Sequence, residues 1–366
     1  MLFLLAISFS GCQMSPPDPS PQNLRESRLD TQLLLNNAVL EQSNRQDNTV
    51  WKIKADSIVY SEDKQTANLD RVVGNLLQDG KIILKISANK GEVKDNGNVI
   101  IFNENIMASD PRNDSAIESN FVEWRPQENL LLIKEDLNGI QDNLKVTAQK
   151  GKYFTDTEQL EVEGDVVATT EEPGLQLKSD RLLWNIPQNK VTSPGAVDIV
   201  RYDEKENVTD KLVSDRGEVD LTANVATLND NIELVSLEPN IQAASQSFIW
   251  NYQQRVGQTD KPIQILDRDR QISLTGNQGE INLQQQIAVL KDGVRGINRR
   301  EASELYARQL TWTMESEKVE AIGDVIYEQA DPQARLTGEK ASGTLGNNII
   351  VVTSDGKKQV TSIIKN

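Results

Sequence analysis

The chain has 366 residues and a formal net charge of −16 at pH 7, with 55 acidic and 39 basic side chains. This balance argues against a nucleic-acid partner, whose phosphates require a basic surface. The sequence contains no histidine and one cysteine, so it lacks the commonest general base and the commonest transition-metal ligand. We therefore expect no catalytic residues, no metal site and no cofactor.

The first 30 residues predict a membrane attachment. Residues 2–9 form an apolar run too short to span a bilayer, and it ends at Ser10-Gly11-Cys12. This ending resembles the lipobox of bacterial lipoproteins, which implies a lipid anchor on Cys12, although no basic residue precedes the run and Phe9 stands where an aliphatic residue is usual. Residues 13–30 contain four closely spaced prolines, which is typical of a semi-rigid tether. The alternatives are an uncleaved apolar anchor and an incidental apolar start.

Residues 31–355 carry a repeat. An apolar residue, any residue and a small residue recur about every 31 residues, which is typical of stacked units that bury their apolar faces only against neighbours. We therefore predict one elongated domain over residues 31–355 and a C-terminal tail over 356–366. The small residues are Ala55, Ala88, Ser119, Ala148, Ser179, Ser214, Ser245, Gly276, Ala307 and Gly338.

Within each repeat the alternation of apolar and polar residues predicts strands. The first strand is expected over residues 31–40, with Leu33, Leu35 and Val39 facing the core, followed by a polar loop over 41–48. In a later repeat the run from Ile82 to Ala88 alternates with period two, and the apolar phase then slips by one residue. Such a slip needs a bulge or a corner, where a small residue allows close approach of the neighbouring backbone.

A second series distinguishes successive repeats. Five residues after the small residue, tryptophan occupies every second repeat, and four of the five tryptophans of the chain stand there. Three residues after the small residue, glycine or alanine in one repeat alternates with a large apolar residue in the next. This alternation favours an antiparallel meander over a parallel β-helix. We therefore expect the repeats that carry tryptophan and the repeats that carry glycine to present these residues at opposite edges, or rims, of the stack. The predicted fold is all-β: an elongated, repeat-built antiparallel β jelly-roll of two facing twisted sheets with an apolar groove.

Several segments resemble the LptC family of lipopolysaccharide-transport proteins. The opening of the domain, residues 37–41 followed by residues 51–60, is similar to the start of that family's fold. Residues 160–166 and 319–325, Leu-Glu-Val-Glu-Gly-Asp-Val and Val-Glu-Ala-Ile-Gly-Asp-Val, resemble a strand motif shared with relatives of the LptA/OstA type. The ordered series covers nearly all of residues 31–355, and its length resembles that of long, cyanobacterial forms.

The resemblance implies a non-enzymatic role in lipopolysaccharide export. A periplasmic protein of this kind, held at the inner membrane through its N-terminus, receives lipopolysaccharide from an inner-membrane ABC transporter. It passes the lipid along its groove to an LptA-like or outer-membrane LptD-like jelly-roll, and edge-to-edge homo-oligomers are a further expectation. Two alternatives stay open: a structural β-solenoid scaffold or adhesin without lipid cargo, and a polysaccharide-active β-helix enzyme using acidic clusters such as residues 215–220.

The inward-facing apolar residues are the candidate site. We expect them to line a slot that is open to water along one seam and that holds acyl chains, each buried CH₂ group contributing about 0.8 kcal/mol. Ordinary core packing is the alternative role for each of them. The candidate lipid-groove residues are Tyr60, Ile86, Val93, Val122, Trp124, Val146, Tyr153, Leu177, Leu182, Trp184, Val219, Phe248, Trp250, Leu274, Ile281, Leu310 and Trp312.

Overall fold

The computed structural model describes residues 33–44, 48–331, 333–344, 349–354 and 360–364, so Cys12 and the predicted tether lie outside the described residues. Two short 3-10 turns occur at Asp95–Gly97 and Pro126–Glu128. The strands are β1 (Leu34–Asn44), β2 (Thr49–Tyr60), β3 (Ala67–Gln78), β4 (Lys81–Lys94), β5 (Val99–Asp110), β6 (Ser115–Arg125), β7 (Leu130–Glu135), β8 (Leu137–Gln141), β9 (Leu144–Ala148), β10 (Lys150–Phe154), β11 (Gln159–Thr170), β12 (Leu175–Asn185), β13 (Lys190–Ser193), β14 (Val197–Tyr202), β15 (Val208–Ser214), β16 (Arg216–Asp220), β17 (Val225–Leu237), β18 (Asn240–Asn251), β19 (Val256–Thr259), β20 (Ile263–Asp267), β21 (Ile272–Gly276), β22 (Gln278–Asn282), β23 (Ile287–Asn298), β24 (Ser303–Thr313), β25 (Lys318–Gln329), β26 (Ala334–Thr344), β27 (Ile349–Thr353) and β28 (Thr361–Ile364).

Each long strand bends at its middle and contributes to two faces. Strand β4 pairs with β5 through residues 85–87 on one side of the bend and residues 90–94 on the other, and the register shifts between the two stretches. At other positions the chain breaks the strand in two, so that β7 and β8 both pair with β6. We call the line of bends the corner line. The bulge or corner expected from the phase slip is therefore present.

The corner line separates two facing sheets. Sheet I contains the segments equivalent to residues 81–88, 106–110 and 115–119, and sheet II contains those equivalent to 90–94, 99–103 and 121–125. A Cβ atom added to Gly139 of sheet I would lie 3.4 Å from Leu160 Cδ2 of sheet II, so the inner faces are in contact. All pairings are antiparallel, which confirms the predicted elongated β jelly-roll. About twenty strands per sheet, at about 4.8 Å each, span on the order of 95 Å.

Small residues stand on the corner line for two physical reasons. At Gly338 a Cβ atom would lie 2.6 Å from Val352 Cγ1 and 2.7 Å from the Thr353 carbonyl oxygen, so the backbones approach too closely for a side chain. Ser245 instead uses its hydroxyl, which lies 3.0 Å from the Pro262 carbonyl oxygen of the neighbouring strand and donates to it. The bend interrupts ladder pairing, and the serine hydroxyl satisfies a carbonyl exposed there.

The intervening strands turn the corner with residues of positive φ. Polar side chains from both strand types then pair along the line, as in the 2.7 Å hydrogen bond from Gln149 Nε2 to Asp165 Oδ2 and its equivalent from Asn231 Nδ2 to Asp215 Oδ2. Asn, Asp and Gly adopt the left-handed region most readily, which explains their frequency at these positions. The positive-φ residues at these bends include Arg71, Glu104, Asn105, Asp136, Gly164, Asp165, Asp230, Asn231, Asp292, Gly293, Gly323 and Asp324.

One expectation about the repeat is corrected by the pairing. Each 31-residue repeat is a hairpin of two bent strands, so the strands that carry the small residues, such as β2, β4 and β6, all run in the same direction. The tryptophan and glycine positions that follow the small residues consequently all lie on sheet II. We expected them at opposite rims, which is wrong because advancing by two strands restores the strand direction.

The N-terminal strands also differ from expectation. Strand β1 runs to Asn44, through part of the predicted loop. Asn37 has a φ of 49°, which reverses the phase, so that Val39 is exposed while Ala38 and Leu40 pack against the core. In β4 a register shift at its start leaves Ile82 exposed and buries Ile83 instead. Both differences arise from irregularities that a strict period of two does not anticipate.

Candidate functional site

The interior between the two sheets contains all the candidate groove residues. Ile86, Val146, Leu177 and Leu274 lie on sheet I, and the others lie on sheet II. All are buried except Tyr60, which is partly buried against the core. The structure therefore brings the predicted residues together as one continuous apolar interior.

Size alternation along sheet II follows from contacts across the interior. A Cβ atom added to Gly151 would lie 2.5 Å from Leu137 Cδ1 of sheet I and 2.9 Å from the Glu161 carbonyl oxygen. At Gly279 the equivalent Cβ would lie 2.8 Å from Ile263 Cγ2, again on sheet I. Glycine is thus required on sheet II wherever a large side chain of sheet I points at it. In the neighbouring repeat, sheet II carries a large residue at the same position.

The tryptophans fill the interior from the sheet II side. Trp124, Trp184, Trp250 and Trp312 are each at most 2% exposed. Their Nε1 atoms have no hydrogen-bond partner among the described residues. A buried donor without a partner costs about 1–3 kcal/mol, so apolar packing outweighs the loss at these positions.

The seam opposite the corner line is not open along its length. Here the turns that end sheet I, which we call rim I, face the turns that end sheet II, which we call rim II. Three buried aspartates, Asp110, Asp210 and Asp267, bind arginines at this seam. We call these arrangements clasps. They close the slot that we expected to be open to water, because at each clasp the arginine forms a hydrogen bond or an ion pair across the seam.

The first clasp joins the turn after β5 to the turn after β10. Asp110 accepts hydrogen bonds from Arg112 and, at 2.7 Å, from the hydroxyl of Tyr153 on sheet II. The Arg112 guanidinium also donates to the carbonyl oxygen of Thr155 on rim II at 2.7 Å. Its hydrogen bond to Asp110 raises the pKa of Arg112. Burial, followed by the hydrogen bond to Asp110, raises the pKa of Tyr153 well above its ordinary value.

The second clasp lies near the middle of the molecule. Arg255 on rim II donates to both carboxylate oxygens of Asp210, at 2.9 and 2.8 Å, and to the Glu238 carbonyl oxygen on rim I at 2.7 Å. Arg201 adds a second bridge in the opposite direction, donating to the Tyr252 carbonyl oxygen at 2.8 Å. Burial lowers the pKa of Arg201 from its ordinary value.

The third clasp stands near the C-terminal end. Arg270 on rim I donates to Asp267 at 2.7 Å and to Glu317 on rim II at 2.8 Å. The hydrogen bond to Asp267 raises the pKa of Arg270, followed by that to Glu317.

An apolar chamber occupies the interior beyond the third clasp. The cavity has a volume of about 50 Å³, part of it continuous with solvent, which is below the usual size range of ligand clefts, so a larger ligand enters only when the walls move apart. Its walls are apolar and its mouth is polar, with Asn298, Ser303 and Thr344 at the rims. The apolar wall residues include Leu274 and Leu305 from sheet I and Leu310, Val319 and Ile350 from sheet II.

Two glycines lie at the chamber, one on each sheet. Gly343 occupies the position where earlier repeats carry tryptophan, tyrosine, valine or isoleucine, and it pairs between Val319 and Ile350, which both line the chamber. On sheet I, Gly296 also lines it. The final repeat therefore lacks the large side chain that would close the space between the sheets.

Sequence reasoning placed the interior but missed the clasps and the chamber. Asp110 and Asp267 continue the inward phase of their strands, two residues after Ala108 and Ile265. A carboxylate in an inward position at a strand end is a signal that could have identified the clasps. Likewise, Gly343 is the one glycine at the position five residues after the small residue, where the other repeats carry Trp, Tyr, Val or Ile, and this exception could have indicated the chamber.

Comparison with models of protein families shows which family the chain belongs to. A model described as "Lipopolysaccharide-assembly, LptC-related" matches residues 1–131 and 186–299, which together form more than half of the chain. The chain belongs to the LptC family. This match confirms the resemblance seen in the sequence. LptC proteins are components of lipopolysaccharide assembly, and no curated protein matches this LptC-family chain.

A solved structure is also similar to part of this LptC-family chain. LptH from Pseudomonas aeruginosa, described as the LptA homologous periplasmic component of the conserved lipopolysaccharide transport device, matches with 17% identity and a TM-score of 0.28. The match covers 34% of this chain and 87% of LptH. Among the residues that the structure describes, none forms a helix long and apolar enough to cross a membrane.

Proposed function

We propose that this LptC-family protein is a periplasmic lipid-binding bridge component of lipopolysaccharide export. It receives lipopolysaccharide from an inner-membrane ABC transporter and passes it toward an LptA-like or outer-membrane LptD-like jelly-roll. The N-terminal segment, through Cys12 or an uncleaved apolar run, holds the protein at the inner membrane. Acyl chains occupy the interior between sheets I and II, and the sugars remain in water at the seam.

The C-terminal chamber is the observation that carries this proposal. An apolar space with a polar mouth suits a ligand with apolar chains and a hydrophilic head, because the chains leave water while the head does not. Transfer of each CH₂ group from water contributes about 0.8 kcal/mol, so several chains supply a large binding free energy. The candidate residues behind the clasps, such as Val146 and Leu177, contact lipid only when the rims separate.

Photo-cross-linking tests the proposal directly. A photo-reactive amino acid at Leu305, in the chamber wall, is expected to capture radiolabelled lipopolysaccharide in envelope preparations. The same amino acid at Ile249, an exposed apolar residue on the outer face, serves as the control. Equal capture at both positions, or none at Leu305, would contradict a lipid site in the chamber.

Filling the chamber provides a second test. Gly343→Leu places a side chain between Val319 and Ile350 and is expected to abolish capture at Leu305 while the protein stays folded by circular dichroism. The matched control is Ser342→Leu, which adds the same side chain to the exposed face of the same strand. Undiminished capture in Gly343→Leu would argue for a structural β scaffold without cargo.

A further inference from the structure

An arginine cluster stands at the mouth of the chamber, although the chain as a whole is strongly acidic. Arg268 lies in the turn between β20 and β21, and Arg299 and Arg300 lie in the turn between β23 and β24. These are neighbouring turns of rim I. Residues on both sides of the second turn, Asn298 and Ser303, line the chamber.

Hydrogen bonds hold the two turns together. The Arg299 backbone N–H donates to the Gln271 carbonyl oxygen at 3.1 Å, and the Arg300 guanidinium donates to the Asp269 carbonyl oxygen at 3.0 Å. The second of these contacts fixes Arg300 beside the turn that contains Arg268. The three arginines therefore lie on two adjoining turns, next to the rim I residues that line the chamber.

These arginines differ from those of the clasps. Arg112, Arg255 and Arg270 are engaged by buried aspartates. In contrast, the side chains of Arg268 and Arg299 are exposed and make no hydrogen bond or ion pair with any residue in the described part of the chain. Their donors are available to a ligand.

The acidic residues of the same two turns do not cancel this charge. The two acidic residues, Asp269 and Glu301, are outnumbered by the three arginines, which leaves a net positive charge. The Asp269 carboxylate also accepts a hydrogen bond from Asn240 at 2.8 Å. By comparison, the turn between β11 and β12 carries Glu171 and Glu172 and no basic residue. The positive charge is thus placed next to the chamber.

We infer that Arg268, Arg299 and Arg300 bind the anionic headgroup of a lipid whose acyl chains occupy the chamber. This inference rests on the proposed lipid-binding function and adds the residues that hold the charged headgroup. Guanidinium groups form forked hydrogen bonds with phosphate or carboxylate oxygens, which suits a charged group held just outside an apolar cavity. The ligand class is an acyl lipid with a negatively charged head.

Calorimetric titration with short-chain lipids tests the inference, because these lipids dissolve as monomers. The full chain is titrated with dioctanoyl phosphatidylglycerol, which is anionic, and with dioctanoyl phosphatidylcholine, which has the same chains and no net charge. We expect about tenfold tighter binding of the anionic lipid. Each basic group near a headgroup contributes up to about fivefold, and Asp269 and Glu301 offset most of the gain from the three arginines. The preference is expected to fall with added salt.

Arg299→Gln/Arg300→Gln removes two of the guanidinium groups. It is expected to abolish the preference by weakening only the binding of phosphatidylglycerol. Arg181→Gln/Arg216→Gln makes the same charge change at exposed positions of the corner line and is expected to keep the preference.

The outcomes separate this inference from the proposed function. Equal binding of both lipids to the unmodified chain would overturn the headgroup site and leave the chamber as a lipid site. Failure of both lipids to bind would overturn both proposals. Glycerol phosphate that binds as tightly as phosphatidylglycerol would show a site for free phosphate and would overturn the lipid assignment.

Discussion

Arg255 and Asp210 join the two rims of the protein across the mouth of the interior. Both carboxylate oxygens of the fully buried Asp210 accept hydrogen bonds from the Arg255 guanidinium, at 2.9 and 2.8 Å. Arg255 lies on rim II, whereas Asp210 lies near the rim I end of β15. The pair therefore links the two sheets on the side of the molecule opposite the corner line.

Loss of this clasp should destabilise the fold. Arg255→Met removes the charge at similar length and leaves Asp210 buried without its partner, which costs about 3–5 kcal/mol. Urea unfolding followed by circular dichroism measures the change. Arg216→Met removes an exposed arginine paired with Asp230 and should cost less than about 1 kcal/mol. A loss in Arg255→Met as small as in this control would show that the pair does not hold the rims.

Releasing the clasps should also expose the interior to lipid. With a photo-reactive amino acid at Leu177, which lies between the first and second clasps along the chain, the variant Arg112→Met/Arg255→Met should capture more lipopolysaccharide than the unmodified chain. Capture at Leu305, in the chamber, is the internal reference and should change little. Equal capture at Leu177 in both proteins would show that the clasps do not control access.

Tyr153 should make the free energy of unfolding decrease as the pH becomes alkaline. Burial raises the pKa of its hydroxyl, so the unfolded chain releases this proton first, and stability falls as the pH rises above the unfolded value of about 10. The contribution is fully present below that value. Tyr153→Phe should therefore lose less stability than the unmodified chain between about pH 9.5 and 11, measured as the urea midpoint. Tyr202→Phe, at a partly exposed tyrosine, is the control, and identical profiles for the Tyr153→Phe and unmodified proteins would contradict this account.

Glycine should be required where sheet I projects into sheet II. Gly151→Ala places a Cβ atom 2.5 Å from Leu137 Cδ1 and 2.9 Å from the Glu161 carbonyl oxygen, and such overpacking costs about 1–3 kcal/mol. At Gly195 nothing lies within 4 Å of the added atom, and Gly195→Ala should change the free energy of unfolding by less than about 0.5 kcal/mol. Thermal denaturation compares the two variants. Equal midpoints would show that the interior adapts without strain.

The strand pattern could be predicted because it is local. The phase slip after each small residue requires only neighbouring residues along the chain, and it correctly identified the corner at positions such as Ser119 and Ser245. The direction of successive repeats was mistaken, because the apolar pattern does not show how many strands separate two small residues. Only the pairing shows that each repeat contains two bent strands.

The amino-acid sequence by itself determined the all-β repeat, the bent strands, the inward residues and the family, since all of these follow from spacing along the chain. Tertiary structure alone decided that Asp110 meets Tyr153, that Asp210 meets Arg255, and that Gly343 leaves a chamber. Those contacts join residues on opposite sheets, separated by about 40 or more positions in both clasp pairs. These contacts depend on how the two sheets face each other, and no local periodicity of the sequence encodes that arrangement.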